Sequence, residues 1–227
     1  MKKTIIILNL IVIVMLAAAA RAYPQADPFR VAPGAEAQLA TLLNKPAMVS
    51  HPIATPLGRN WFTLEADAHV FTEGVSVRQV AEVFLDVENQ VKIFDGKRSK
   101  LTAKHVSGQG NEQVVDFVSI AMVIGLQLRT PYRASVNIET LTDTKCILNI
   151  RQTPHDSETN GRVKRLVAPR YIEEVTIDGR KYTYIRIYSK MDVDASILPG
   201  AKGVLERNAG PANEEALTLV IAAARTR

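Results

Sequence analysis

The chain has 227 residues, 47% of them hydrophobic, with 28 Lys+Arg against 23 Asp+Glu and a formal charge of +5. Cys146 is the only cysteine, which excludes an internal disulfide framework and leaves core burial to stabilise the fold. The basic excess is spread along the chain and never gathers into the dense stripe of a nucleic-acid binder, so no nucleic-acid partner is expected.

Lys2 and Lys3 precede an apolar run from Ile5 to Ala20, broken only by Asn9 and closed by Ala20-Arg21-Ala22. A basic start, an apolar middle and a small-residue end read as a secretory signal peptide over residues 1–22, cleaved before Tyr23. Sixteen residues are short for a membrane span, which wants about 20. Losing Lys2, Lys3 and Arg21 leaves 25 basic against 23 acidic residues, so the sequence pI of 9.3 says little about partners. A secreted or periplasmic location is expected.

Residues 23–60 carry Pro24, Pro28, Pro33, Pro46, Pro52 and Pro56, a density that hinders helix interiors and central strands alike. Within them only "GAEAQLATLLN", Gly34 to Asn44, has helical character. The segment reads as a Pro-rich N-terminal arm, packed or linking, in front of a domain over residues 61–227.

The domain opens with strand composition in "WFTLEADAHVFTE". Ser76 then caps a helix whose Val80, Val83, Phe84 and Val87 recur at helical spacing, and Asp95-Gly96 closes the passage as a turn. Strands follow. Leu126, Leu128, Tyr132, Ala134, Val136 and Ile138 share one face of "LQLRTPYRASVNIE", with Gln127, Arg129, Arg133, Asn137 and Glu139 on the other. In "KCILNIRQ", Cys146, Leu148 and Ile150 alternate with polar neighbours, as in an antiparallel sheet with one covered face. Asp178-Gly179 between "YIEEVTI" and "RKYTYIRIYSKM" marks a hairpin. Two apolar patches follow, one over Ile197 to Leu205 and one over Ala216 to Ala224. They predict a long C-terminal helix, interrupted or kinked near Gly210-Pro211.

In this order the elements resemble the START-like, or helix-grip, superfamily of lipid-transfer domains and polyketide cyclase-like proteins. The carriers of the resemblance are "SVRQVAEVFLDVENQVKIF", "LRTPYRASVNI" and "GRKYTYIRIYSKMDVDASILPGAKGVLERN", within a match spanning roughly Phe62 to Ala224. Ile93-Phe94 stands where many relatives carry Trp. The resemblance implies an α+β fold: a curved antiparallel sheet wrapped around a long C-terminal helix, with a short helix pair after the first strand. It also implies lipids, sterols or polyketide-like aromatics as ligands.

A sheet curved round one helix leaves volume that side chains do not fill, and such apolar pockets are default ligand sites. Phe84, Phe117, Leu128, Tyr132, Leu148 and Leu205 are the expected apolar walls, although each could equally be plain core. In "KYTYIRIYSKMDV" one face carries Thr183, Ile185, Ile187, Ser189 and Met191. The other carries Tyr182, Tyr184, Arg186 and Tyr188. If the aliphatic face is core, the Tyr-Arg-Tyr stripe is solvated; if the stripe faces inward, Arg186 between Tyr184 and Tyr188 could hold an anionic head group. The sequence leaves both open.

Signs of catalysis are sparse. His51, His69, His105 and His155 lack metal-ligand spacing, so neither metal nor other cofactor is expected, and "TPHDSETNG" reads as a polar surface loop. Cys146 reads as a buried, unactivated thiol. His105 and Asp116 are the two groups placed for acid-base work if they meet in one cavity. The expected function is an exported binder of a lipid or other hydrophobic small molecule, without covalent chemistry and with peripheral membrane contact as an option. The alternatives are a cyclase- or hydratase-like enzyme and an envelope partner-binding protein that uses the arm. Oligomeric state is left open.

Overall fold

The structure, a computed structural model, describes residues 27–123, 125–153 and 162–227. The signal-peptide reading and the loop with His155 therefore lie outside the described residues. Among the described residues nine antiparallel strands form one sheet: β1 (Ala47–Gly58), β2 (Trp61–Thr72), β3 (Ser99–Gln109), β4 (Glu112–Val123), β5 (Leu126–Leu141), β6 (Lys145–Gln152), β7 (Val163–Val167), β8 (Arg170–Ile177) and β9 (Arg180–Asp194). Their order is β1-β2-β9-β7-β6-β5-β4-β3, with β8 paired to both β6 and β9. Among the described residues four α-helices accompany them: α1 (Leu39–Leu42), α2 (Val77–Leu85), α3 (Gln90–Ile93) and α4 (Ala201–Ala224). This is the expected α+β helix-grip architecture, with the short pair α2 and α3 between β2 and β3.

Local chemistry fixes the pair. The Ser76 hydroxyl accepts the Gln79 backbone N–H at 3.2 Å while the Gln79 side chain accepts the Ser76 N–H at 2.8 Å, a reciprocal cap. Val77, Val80, Ala81 and Val83 then turn inward at helical spacing. The Gln90 amide donates to the carbonyl oxygens of Val83 and Phe84, satisfying the end of α2 as the chain turns the corner.

The inner face of the sheet meets α4. Ala68, Val70, Cys146, Leu148, Ile172, Ile185 and Ile187 pack with Leu217, Val220, Ile221 and Ala224 into the main core. Leu128, Val193 and Leu198 pack with Val204 and Leu205 into a second one. Each half of α4 is thus anchored separately, and the helix runs unbroken through Gly210 and Pro211, contrary to the expected interruption. An interior proline costs a helix about 3 kcal/mol, which packing of both halves offsets. Gly210 faces Met48 and Pro52 of β1.

The N-terminal region has two parts, of which the sequence reading, a packed or linking arm, did not specify the strand. Its second half is strand β1, which among the described residues pairs only with β2, so Pro52 and Pro56 sit on an edge where a missing N–H is tolerated. Its first half lies across the outer face of the sheet. Ala32, Ala35 and Leu42 bury Phe71, Tyr171, Tyr182 and Tyr184 there. The aliphatic face of β9 is the inner one, yet the Tyr-Arg-Tyr stripe is no solvated surface: Tyr184 and Arg186 are 0% and 1% exposed.

Candidate functional site

Between α4 and the inner face of the sheet lies a cavity of about 280 Å³, near the lower limit of the usual small-molecule range of about 300–1,000 Å³. Its walls come from nearly every element: Leu64 and Ala66 of β2, Phe117 and Ala121 of β4, Leu128 and Tyr132 of β5, and Leu205, Ala212 and Ala216 of α4. The helix corner contributes Phe84 and Phe94, whose rings stack at 6.5 Å, and Phe117 stacks on Tyr132 at 5.3 Å. Small residues on α4 leave the space. Ala209, Ala212 and Ala216 stand where larger side chains would fill it.

Several polar groups on this wall already have partners. The Thr130 hydroxyl donates to the Ser119 carbonyl oxygen at 3.0 Å, and the Asn208 amide donates to that of Val204 at 2.7 Å. Lys100 pairs with Asp95 at 2.5 Å. Arg170 lies deep beside Tyr132, its guanidinium carbon 5.7 Å from the centre of the Phe84 ring. Burial pulls the Arg170 pKa down to about 10 and pushes the Tyr132 phenol up to about 12, each opposed by the other's field.

Of the residues expected as ligand walls, Phe84, Phe117, Leu128, Tyr132 and Leu205 line this cavity. Leu148 does not; it is fully buried in the main core. Nor do Tyr184, Arg186 and Tyr188, because they point to the opposite face of the sheet. Arg186 does hold oxygens, but the protein's own. Its Nε and Nη2 donate to the two Asp67 carboxylate oxygens at 2.9 and 2.6 Å, and Nη1 donates to the carbonyl oxygens of Asp27 and Arg30. Burial alone would lower its pKa; the Asp67 carboxylate outweighs that and holds it above the ordinary value. Tyr188 donates to Glu65 at 2.6 Å.

The acid-base pair is not assembled. Asp116 shares the outer face of β4 with Val114, Val118 and Ile120, while Phe117 and Ser119 face the cavity, and Arg133 holds its two oxygens at 2.6 and 2.8 Å. His105 is exposed, with Nε2 3.0 Å from the Gly108 carbonyl oxygen. Adjacent residues on a strand point to opposite sides, and the cross-strand register sets Lys104, not His105, opposite Asp116. Cys146 is buried, its thiol pushed up to about 11 by desolvation. Among the described residues no three His, Cys, Asp or Glu side chains cluster as metal ligands, and no helix is long and apolar enough to cross a membrane.

Sequence reasoning missed several wall residues, Leu64, Phe94, Ala212 and Arg170 among them, and Arg170 is the one with an unusual charge. It stands two positions before Ile172 on the same face of β8, an arginine on an apolar phase, and that phase was the available signal.

No protein-family model and no curated protein sequence matches the chain. Among solved structures, it is similar to the human StarD13 (DLC2) lipid transfer and protein localization domain, with a TM-score of 0.49 and 10% identity over 75% of this chain and 88% of that one. It is also similar to the human StAR-related lipid transfer protein 5, with a TM-score of 0.49 and 10% identity over 76% and 86% of the two chains. For a STAR-related lipid transfer protein from Xanthomonas axonopodis the TM-score is 0.47, with 8% identity over 77% and 99%. The strand order and the gripped helix carry the assignment: a helix-grip domain with an apolar internal cavity.

Proposed function

We propose that this chain is an exported binding protein that holds a lipid or other hydrophobic small molecule in the cavity beneath α4, without covalent chemistry. The observation that carries the reading is the cavity itself. Leucine, phenylalanine and alanine side chains that would otherwise close a core instead surround about 280 Å³ of space. Transfer of apolar ligand surface out of water supplies about 25 cal/mol per Å² before the cost of ordering is subtracted. Export is supported by the pattern of Lys2, Lys3, the run from Ile5 to Ala20 and Ala20-Arg21-Ala22. Exposed Leu57 and Ile197, close to the β1–β2 turn and to the start of α4, offer apolar surface for transient contact with a lipid surface.

Native mass spectrometry of the protein from its own host, followed by organic extraction, tests the reading together with titration of Nile red. A co-purified apolar compound at stoichiometric level, or saturable uptake of the dye, is expected. An empty protein that takes up no dye would overturn it.

A further inference from the structure

The buried guanidinium of Arg170 is the unusual group on the cavity wall. Its Nη1 donates to the carbonyl oxygens of Ala168, Pro169 and Tyr188 at 3.1, 3.1 and 3.0 Å, so the backbone holds the group in place. Nε is buried and has no hydrogen-bond partner. Among the described residues no carboxylate reaches it, whereas Arg133 and Arg186 each have an aspartate. Arg170 as a whole is half-buried and lines the cavity. A buried cation is costly unless it is paired, and nothing in the described protein pairs this one.

Phe84 packs near the guanidinium, and the Tyr132 hydroxyl shares the same region of the wall. Elsewhere the wall is mostly aliphatic and aromatic. Nε–H and an Nη2–H of an arginine form a parallel fork that matches the two oxygens of a carboxylate. On the binding reading given above, we propose that the occupant is an amphiphile with a carboxylate head. Its two oxygens accept from the Nε–Nη2 edge of Arg170, and its apolar tail lies against Phe117, Leu128 and the alanines of α4. Burial leaves Arg170 protonated at neutral pH, with a pKa near 10, so the head group meets a full charge.

Displacement of Nile red from the full chain by decanoate, decanol and decylamine at neutral pH tests this. These probes share a tail and differ in the head. Decanoate is expected to bind about tenfold or more tighter than decanol, as a charge-assisted hydrogen-bonded pair implies, with decylamine weakest. Acidifying until decanoate is protonated should erase that preference in the unaltered protein, so the test does not depend on any variant folding. Arg170→Gln should erase it too. Equal binding of decanoate and decanol, or a preference that survives Arg170→Gln, overturns the head-group assignment and leaves the cavity reading standing. Failure of the dye and all three probes to bind overturns both.

Discussion

Arg186 of β9 and Asp67 of β2 form a two-pronged ion pair on the outer face of the sheet, with 0% and 6% of their side chains exposed. The third guanidinium nitrogen donates to carbonyl oxygens of the arm, so this pair fastens residues 27–30 to the sheet. Replacing Asp67 by Asn keeps the shape but leaves a buried cation without its counter-charge. We expect a loss of about 3–5 kcal/mol in urea unfolding, with limited proteolysis cutting first within residues 27–46. Asp67→Leu combined with Arg186→Met should recover much of that loss. A single-variant cost below about 1 kcal/mol would refute the fastening role.

His69 lies beside this pair and makes the arm's attachment sensitive to acid. The Ala32 backbone N–H donates to the Tyr184 hydroxyl oxygen at 3.0 Å, which leaves the hydroxyl proton to donate to His69 Nδ1, also at 3.0 Å. That geometry needs a neutral imidazole. Burial, and then the charge of Arg186, lower its pKa from 6.5 to about 4. Between those two values the unfolded chain binds a proton that the folded one does not, so stability rises with pH across the window. It is lost as pH falls from about 6.5 towards 4, by up to about 3 kcal/mol. His69→Gln should flatten that limb of the stability–pH curve. Wild-type and variant curves that run parallel from pH 4 to 7 would count against it.

Local patterns made much of the fold readable. The Ser76–Gln79 cap, the spacing of Val80 and Val83, and the alternation in β5 and β6 are written within a turn or a strand of themselves. The cover over Tyr184 and Arg186 is not, because it comes from Asp27 to Leu42, roughly 150 residues away along the chain. A strand with one aliphatic and one Tyr-Arg-Tyr face is consistent with a solvated stripe until that arm is placed. Leu148 and Phe117 show the same limit for the site. Both alternate inward, but only distance from the well-packed end of α4 decides which one borders empty space. Pro52 and Pro56 argue against a central strand, and both sit on the edge strand β1, whose pairing with β2 no local pattern announces.

Glu215 of α4 accepts backbone N–H bonds from Lys97, Arg98 and Ser99 at 2.9, 2.9 and 3.2 Å, clamping the turn before β3 to the helix. Gly96 makes room for this, since a Cβ there would collide with the Glu215 carboxylate and sit 2.8 Å from the Ser99 carbonyl oxygen. Phe94, Ser99 and Lys100 on either side of the turn border the cavity. Gly96→Ala should cost about 1–3 kcal/mol by overpacking. Glu215→Gln presents an amide NH₂ to at least one of the donors and should loosen the turn while the core stays intact. Stopped-flow release of Nile red should then be several-fold faster. Unchanged release rates in both variants would show that the turn does not control access.

Ala216 offers the sharpest separation of cavity from core. It faces the cavity from α4 and is half-buried against the main core. A phenylalanine there would extend into the open space, where it displaces ligand volume more than protein atoms. The helix propensity cost is below about 1 kcal/mol, and new contacts with the wall offset it. Ala216→Phe should therefore keep the urea midpoint within about 1 kcal/mol of wild type and reduce Nile red affinity at least about tenfold. If the side chain instead met packed atoms, destabilisation of about 1–3 kcal/mol would follow. Stability loss with unchanged dye binding would place the binding site elsewhere than beneath α4.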